Sequence, residues 1–198
     1  MKKNNYLDKD LPMPSEDEVE FYLKKWGALE DYKHQESALN RLFNETYCNN
    51  SKIDEVLIKV ASLNDFYSTN IFSVYTVAKH VQSLKIDNDL KCHDKKLVNK
   101  IALVDLGGRG IKNFYSFATK YCSHHFPLNY PIYDSYIDRV FRYYRYHDKF
   151  ASFKNDDLKN YPCFVEIFKK FQSHFKLEKY TLKQMDRYLW LLGKNHFN

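Results

Sequence analysis

The sequence predicts an all-α fold, on three observations. Apolar residues recur at the spacing of an amphipathic helix through most of the chain. Helix-capping residues stand before several of these stretches. No stretch shows the sustained apolar and polar alternation between hairpin turns that is typical of a β-sheet. We therefore expect about eight or nine helices and few strands. The 198 residues, 44% of them hydrophobic, are enough for a buried core.

The first half of the chain begins with a polar stretch. Residues 1–14 carry two prolines, so we expect an arm there rather than a helix. Ser15 and Glu18 form a capping-box pattern that starts the first helix. Ser68 or Thr69 can cap a later one. The predicted helices of this half occupy residues 15–27, 28–47, 52–67 and 70–84.

The second half contains a cluster of glycines between two helical patterns. Asp94 opens a helix that runs into this cluster, and a helical pattern resumes near Ile111, which predicts a helix, a tight turn and a helix. Thr181 and Gln184 form a capping box for the last helix, which Gly193 is placed to end. The predicted helices of this half occupy residues 95–106, 111–122, 135–147, 162–175 and 182–192.

The charge balance gives a weak indication of a partner. The chain has 31 Lys and Arg against 25 Asp and Glu, a formal charge of +6. This excess favours a polyanionic partner, but a solvated lysine-rich surface explains it equally well.

The cysteines and the hydropathy pattern bear on metals, cofactors and membranes. No Cys-x-x-Cys pair and no close cysteine–histidine spacing suits zinc or an iron–sulfur cluster. We therefore expect no metal, no cofactor, and reduced, mostly buried thiols. No stretch approaches a span of about eighteen apolar residues, and no apolar run follows the first lysines. These features favour a cytoplasmic protein without a membrane partner. The cysteines are Cys48, Cys92, Cys122 and Cys163.

The glycine cluster is the most distinctive motif. Gly107, Gly108 and Gly110 surround Arg109. Glycine permits positive φ and a close approach of the backbone to another molecule. If a helix starts near Ile111, the turn amides and the helix dipole form an anion site that fits a DNA phosphate. A plain connection between antiparallel helices remains an alternative.

Two segments resemble the helix-hairpin-helix DNA glycosylases, the superfamily that includes endonuclease III and 8-oxoguanine glycosylase. LGGRG stands where that family has a Leu-Pro-Gly-Val-Gly hairpin, and Lys112 falls at the lysine position of its bifunctional members. YDSYIDRV parallels the family's Val-Asp-Thr-His-Val-x-Arg segment, so Asp134 matches the family's aspartate. The resemblance covers roughly residues 53–145.

The resemblance implies two helical lobes with a cleft between them. We expect the core lobe, which contains the hairpin, at about residues 53–145. The second lobe would combine residues 15–52 and 146–198.

The resemblance also implies a mechanism. Lys112 would attack the sugar carbon of a flipped nucleotide, and Asp134 would assist the attack and stabilise the positive charge that develops on the sugar. The residues alone leave alternatives open. A solvated surface lysine explains Lys112, and a helix N-cap explains Asp134.

The expected DNA contacts come from the hairpin and from two basic stretches. Lys120 shares the polar side of the predicted helix 111–122 with Lys112. After Asp134, arginines interleave with aromatic rings, a pattern that can pair phosphates and stack on bases but also serves a helical core. The expected contact residues are Gly108, Arg109, Gly110, Lys120, Arg139 and Arg142.

We therefore expect a DNA glycosylase-like enzyme that removes a damaged or modified base from double-stranded DNA, with AP-lyase activity if Lys112 is the nucleophile. The alternative is a protein without catalysis: a helix-hairpin-helix DNA-binding module, or a helical structural or interaction protein.

Overall fold

The computed structural model describes residues 7–198, so part of the predicted arm lies outside the described residues. Over this range the chain is mostly helical and has one small sheet of two strands, as the all-α prediction expects. The helices are α1 (Glu16–Gly27), α2 (Glu30–Arg41), α3 (Ile53–Tyr67), α4 (Val74–Ser83), α5 (Asp87–Lys91), α6 (Lys96–Ala102), α7 (Tyr115–His125), α8 (Ser135–His147), α9 (Tyr161–His174) and α10 (Leu182–Phe197). The strands are β1 (Leu103–Asp105) and β2 (Ile111–Asn113).

The chain divides into two compact units. The middle unit is Glu30–Ile132, and the terminal unit combines Met1–Leu29 with Tyr133–Asn198, of which residues 7–29 and 133–198 are described. These boundaries differ from the expected ones near residues 53 and 145. The difference arises because α2 packs on α3 and α7, and α8 packs on α10.

In the middle unit, α3, α4, α6 and α7 form the core. α3 packs on α4 and α7, and α6 packs on α7. Their contact faces carry aliphatic and aromatic residues at helical spacing, which the sequence pattern predicts. The fully buried members include Val56, Val60, Leu63, Val77, Ala78, Val81, Leu97, Val98, Ile101 and Tyr121.

In the terminal unit, aromatic rings join α8 to α9. Phe141 is fully buried, and its ring centroid lies 5.3 Å from that of Phe171 and 5.6 Å from that of Phe168. The stretch before α1 also packs here, because the Leu11 N–H donates to Tyr143 Oη at 3.2 Å. The aromatic residues of α8 that face inward therefore form part of the core of this unit.

Two helix starts differ from the sequence prediction. Ser68 does not cap α4: it has a positive φ of 48° and ends α3, and α4 begins only at Val74. The polar connector after α4 contains the short helix α5. The predicted caps Asp134 and Thr181 are confirmed, since both side chains accept hydrogen bonds from the first turn of their helices.

We expected Gly193 to end the last helix, and this prediction is wrong. α10 continues through this residue to Phe197. A Cβ atom at position 193 would lie 2.7 Å from Tyr136 Cβ and 3.1 Å from Tyr136 O. Glycine is needed here because α10 and α8 approach each other closely, and the sequence alone gave no sign of this contact.

Gly193→Ala is expected to lower the free energy of unfolding by roughly 1–3 kcal/mol, because the added methyl group overpacks the contact between α10 and Tyr136. Chemical denaturation followed by circular dichroism measures the change. Gly27→Ala is the control, since a Cβ atom there meets nothing within 4 Å. Equal stability of the Gly193 variant and the wild type would contradict the close packing.

Candidate functional site

A β-hairpin carries the glycine cluster. β1 and β2 pair antiparallel, so the helix expected from Ile111 is wrong, and α7 begins only at Tyr115. Val104 is fully buried and anchors β1 beside α4 and α6. The backbone of residues 111–113 then pairs with this anchored strand instead of coiling into a helix. The cross-strand pairs are Leu103–Asn113, Val104–Lys112 and Asp105–Ile111.

The turn of the hairpin depends on two glycines. Gly107 has φ of 64° and Gly110 has φ of 71°, values that glycine adopts without strain. The Gly107 N–H donates to Asp105 Oδ1 at 2.8 Å, and the Gly110 N–H donates to Gly107 O at 2.8 Å. The anion site expected at a helix N-terminus does not form, because no helix begins at Ile111 and these two amides bond within the hairpin.

The hairpin presents four of the expected site residues to solvent. Gly108, Arg109, Gly110 and Lys112 are all exposed. Arg109 Nη2 donates to Ser73 Oγ at 2.5 Å. This bond ties the turn of the hairpin to the segment that leads into α4.

Two stretches of the sequence, which include the loop before α4 and the turn of the hairpin, lack acidic residues. The stretches 66–86 and 106–133 contain no Asp or Glu. Their exposed cations form no ion pair with any carboxylate of the described residues. Asp105, next to the turn, accepts the Gly107 N–H. These unpaired cations are Lys79, Lys85, Arg109 and Lys112.

Two exposed aromatic side chains lie in the same segment as Lys79. Tyr75 is 57% exposed and lies on the same side of α4 as Lys79, one helical turn away. We call Tyr75, Lys79, Arg109 and Lys112 the hairpin surface. Phe72, just before α4, is 91% exposed.

Lys120 does not belong to this surface. The prediction that it faces outward is wrong, because both sides of α7 are covered and Lys120 is buried. Its Nζ donates to Ser116 Oγ at 2.5 Å and lies 5.2 Å from the ring centroid of Tyr67. Lys120 therefore cannot contact DNA in this conformation.

The other expected site residues belong to the terminal unit. Asp134 is half-buried, and its Oδ1 accepts the N–H groups of Tyr136 and Ile137, each at 2.9 Å. Arg139 Nη1 donates to Phe197 O at 3.0 Å. Arg142 Nε lies 2.8 Å from Asp138 Oδ1. The two arginines thus bond within their own unit, whereas Lys112 lies in the middle unit.

A buried polar cluster, which the sequence analysis missed, lies inside the middle unit. Lys59 is fully buried, and its Nζ donates to Tyr47 O at 3.1 Å, to Asn49 O at 2.9 Å and to Asn50 Oδ1 at 2.6 Å. Burial lowers the pKa of Lys59 from 10.5 to about 8, and the charge of Asp87 opposes part of this shift. All three ammonium hydrogens are donated in hydrogen bonds to residues 47–50, so Lys59 stabilises the segment before α3. The sequence did contain a sign of this cluster, because Lys59 stands among the apolar residues of α3.

The amide of Asn50 fixes the protonation of His125. Asn50 Oδ1 accepts from Lys59 Nζ and from Tyr121 Oη, so Nδ2 faces His125 Nε2 at 3.3 Å. Nε2 must then be an acceptor, and the ring is neutral. Burial lowers the pKa of His125 from 6.5 to about 3, and the positive charge of Lys59 adds to this effect. His125 is the last residue of α7.

The structure bears on three expectations, which concern the cysteines, metal binding and membrane spans. All four cysteines are free, but only Cys122 is buried, so the expectation of mostly buried thiols is wrong. Over residues 7–198, no group of three or more His, Cys, Asp and Glu is arranged to hold a metal ion. None of the helices described has the length and apolar character needed to cross a membrane.

Comparison with known proteins gives two similarities. The family HI_0787_N, described as an N-terminal domain, matches residues 18–129. An uncharacterized protein of Haemophilus influenzae (strain ATCC 51907 / DSM 11121 / KW20 / Rd) is 49% identical over 146 residues, which are 73% of this chain and 69% of that protein. No solved structure matches the chain significantly. The matched family segment contains the hairpin and Lys59, and it ends before Asp134.

The free energy of unfolding is expected to fall as the pH drops from 6.5 towards about 3, because His125 takes up a proton in the unfolded chain but not in the folded one. One such group changes the free energy of unfolding by about 1.4 kcal/mol per pH unit. His125→Gln keeps an acceptor without titrating, so its stability should fall less steeply. Urea unfolding over a pH series measures the slopes.

The control for this experiment is His34→Gln, because His34 is exposed. It should keep the acid dependence of the wild type. The same pH slope in both variants would show that His125 is not held neutral in the folded protein.

Proposed function

The chain belongs to the HI_0787_N family, and from the hairpin within the matched segment we propose that it binds double-stranded DNA. The observation that carries this proposal is the set of exposed cations that form no ion pair and lie in two stretches without Asp or Glu. Asp105, the carboxylate beside the turn, accepts the Gly107 N–H. DNA presents a dense row of phosphates, and lysine and arginine contacts with phosphates supply most of the sequence-independent affinity.

The form of the hairpin supports contact with a sugar-phosphate backbone. Gly108 and Gly110 have no side chains, so the turn can approach a strand closely. Arg109 is held by Ser73, which reduces the conformational entropy that its long side chain would lose on binding. Lys112 follows the turn on β2, and Lys79 lies on α4, which packs against β1, so both lysines add to the cations of this part of the unit.

Base excision is the second candidate function. One observation favours it: both bonds that Asp134 makes as an N-cap go to Oδ1, and Oδ2 accepts none from the described residues. A free carboxylate oxygen at a helix start could stabilise positive charge on a sugar. We rank it second because Lys112 lies on a strand, where no helix dipole acts on its amine.

Replacing both Arg109 and Lys112 by alanine should weaken binding to a DNA duplex about tenfold or more at low salt. Each phosphate contact contributes about 0.9 to the slope of log Kobs against log salt concentration, so the slope should fall by about two. Fluorescence anisotropy over a salt series gives both quantities.

The matched control is the double variant R41A/K91A. It removes one arginine and one lysine from exposed positions of the middle unit outside the hairpin surface. It should keep the slope of the wild type. Equal weakening in both double variants, or wild-type binding that does not depend on salt, would count against the hairpin surface.

Borohydride trapping separates binding from base excision. On duplexes with an abasic site or a damaged base, the binding proposal expects no covalent complex and no released base. A trapped complex that disappears in both Lys112→Ala and Asp134→Asn would instead establish the second candidate. Asparagine is a good N-cap, so the Asp134 variant should keep α8 intact.

A further inference from the structure

Phe72 is unusual because almost its whole ring is exposed to solvent. It is 91% exposed, more than any other large hydrophobic residue of the described chain. Leaving a phenylalanine ring in water forgoes the free energy of burying its apolar surface. Exposure of a single apolar side chain is common on protein surfaces, so what matters is how the loop around Phe72 is built.

The loop that carries Phe72 is held in one conformation. The Asn64 side chain clamps the residue before it: Nδ2 donates to Ile71 O at 3.2 Å, and Oδ1 accepts the Ile71 N–H at 2.9 Å. Asn64 Oδ1 also accepts from Thr69 Oγ1 at 2.8 Å, and the Ile71 side chain is buried. The loop is therefore fixed on the N-terminal side of Phe72.

The residue after Phe72 is fixed as well. Ser73 Oγ accepts the bond from Arg109 Nη2. The exposed ring thus stands between an anchored isoleucine and a residue that is bonded to the Arg109 guanidinium. A backbone held in this way loses little conformational entropy when the ring binds.

We infer that Phe72 stacks on an unpaired base, so that the hairpin surface prefers DNA with a bulged or displaced nucleotide to an intact duplex. This inference rests on the proposed DNA binding. Aromatic side chains stack on any base, because every base has a π-face. In an intact duplex the faces of the bases are already stacked on their neighbours, whereas an unpaired base offers a face to the ring.

The charges around Phe72 favour a nucleic acid over a protein surface as the partner. Residues 66–86, which include the loop and α4, contain no carboxylate, and Arg109 lies directly beside the loop. A stacked base brings its phosphate with it, and an adjacent arginine can pair with that phosphate. The ring and the guanidinium together then match one nucleotide.

The test compares a duplex carrying one unpaired base with the intact duplex of the same sequence. The wild type is expected to bind the first about tenfold more tightly, a typical contribution of one stacked base. Phe72→Ala should lose most of this preference, and Phe72→Trp should keep it. A fluorescent 2-aminopurine at the unpaired position should be quenched by the wild type and not by Phe72→Ala.

The control is Leu128→Ala, because Leu128 is an exposed apolar residue of the same unit, outside the hairpin surface. It should keep the preference. Salt-dependent binding of both duplexes with equal affinity overturns the stacking inference and leaves the proposed function standing. A preference that survives Phe72→Ala also overturns it, and leaves the ring to another class of partner. Failure to bind either duplex at low salt overturns the proposed function and the inference with it.

Discussion

The pairing of residues 103–105 with residues 111–113 is the constraint on which the candidate site depends. Val104 anchors the first strand in the interior, and the antiparallel register then fixes where the second strand runs. Because Asp105 pairs with Ile111, the chain has to reverse its direction within residues 106–110. Positive φ at Gly107 and Gly110 makes this reversal free of steric strain. Arg109 and Lys112 owe their exposure to this geometry.

The site gains rigidity from side chains that hold backbone in place. Asn64 clamps the loop before α4, and Ser73 joins this loop to Arg109. Rigid presentation matters for the proposed DNA contact, because the entropy of ordering long side chains otherwise offsets much of the electrostatic gain. Residues 66–86 and 106–133 contain no carboxylate, and this also favours binding of a phosphate. No ion pair within these stretches has to be broken first.

The middle unit uses its lysines in opposite ways. Lys79 and Lys112 are exposed, whereas Lys59 and Lys120 are buried. A buried ammonium is stable only when acceptors replace its water, and Lys59 has two backbone carbonyls and an amide oxygen as acceptors. The Lys59 cluster also sets the tautomer of His125 through Asn50. Some lysines of the unit therefore stabilise its interior, and others belong to the surface that we propose binds DNA.

The sequence by itself determined the mostly helical class, most helix positions and the local caps. Asp134 and Thr181 cap as predicted because a cap bonds within one turn, so neighbouring residues contain all the information it needs. Tertiary structure decided what depends on distant partners. Residues 111–113 became a strand because β1 was available to pair with them. Lys120 was buried because α7 is covered on both sides, and Gly193 stayed inside α10 because Tyr136 lies against it. Each of these outcomes follows from a contact between residues far apart in sequence, and periodicity along a single chain cannot encode such a contact.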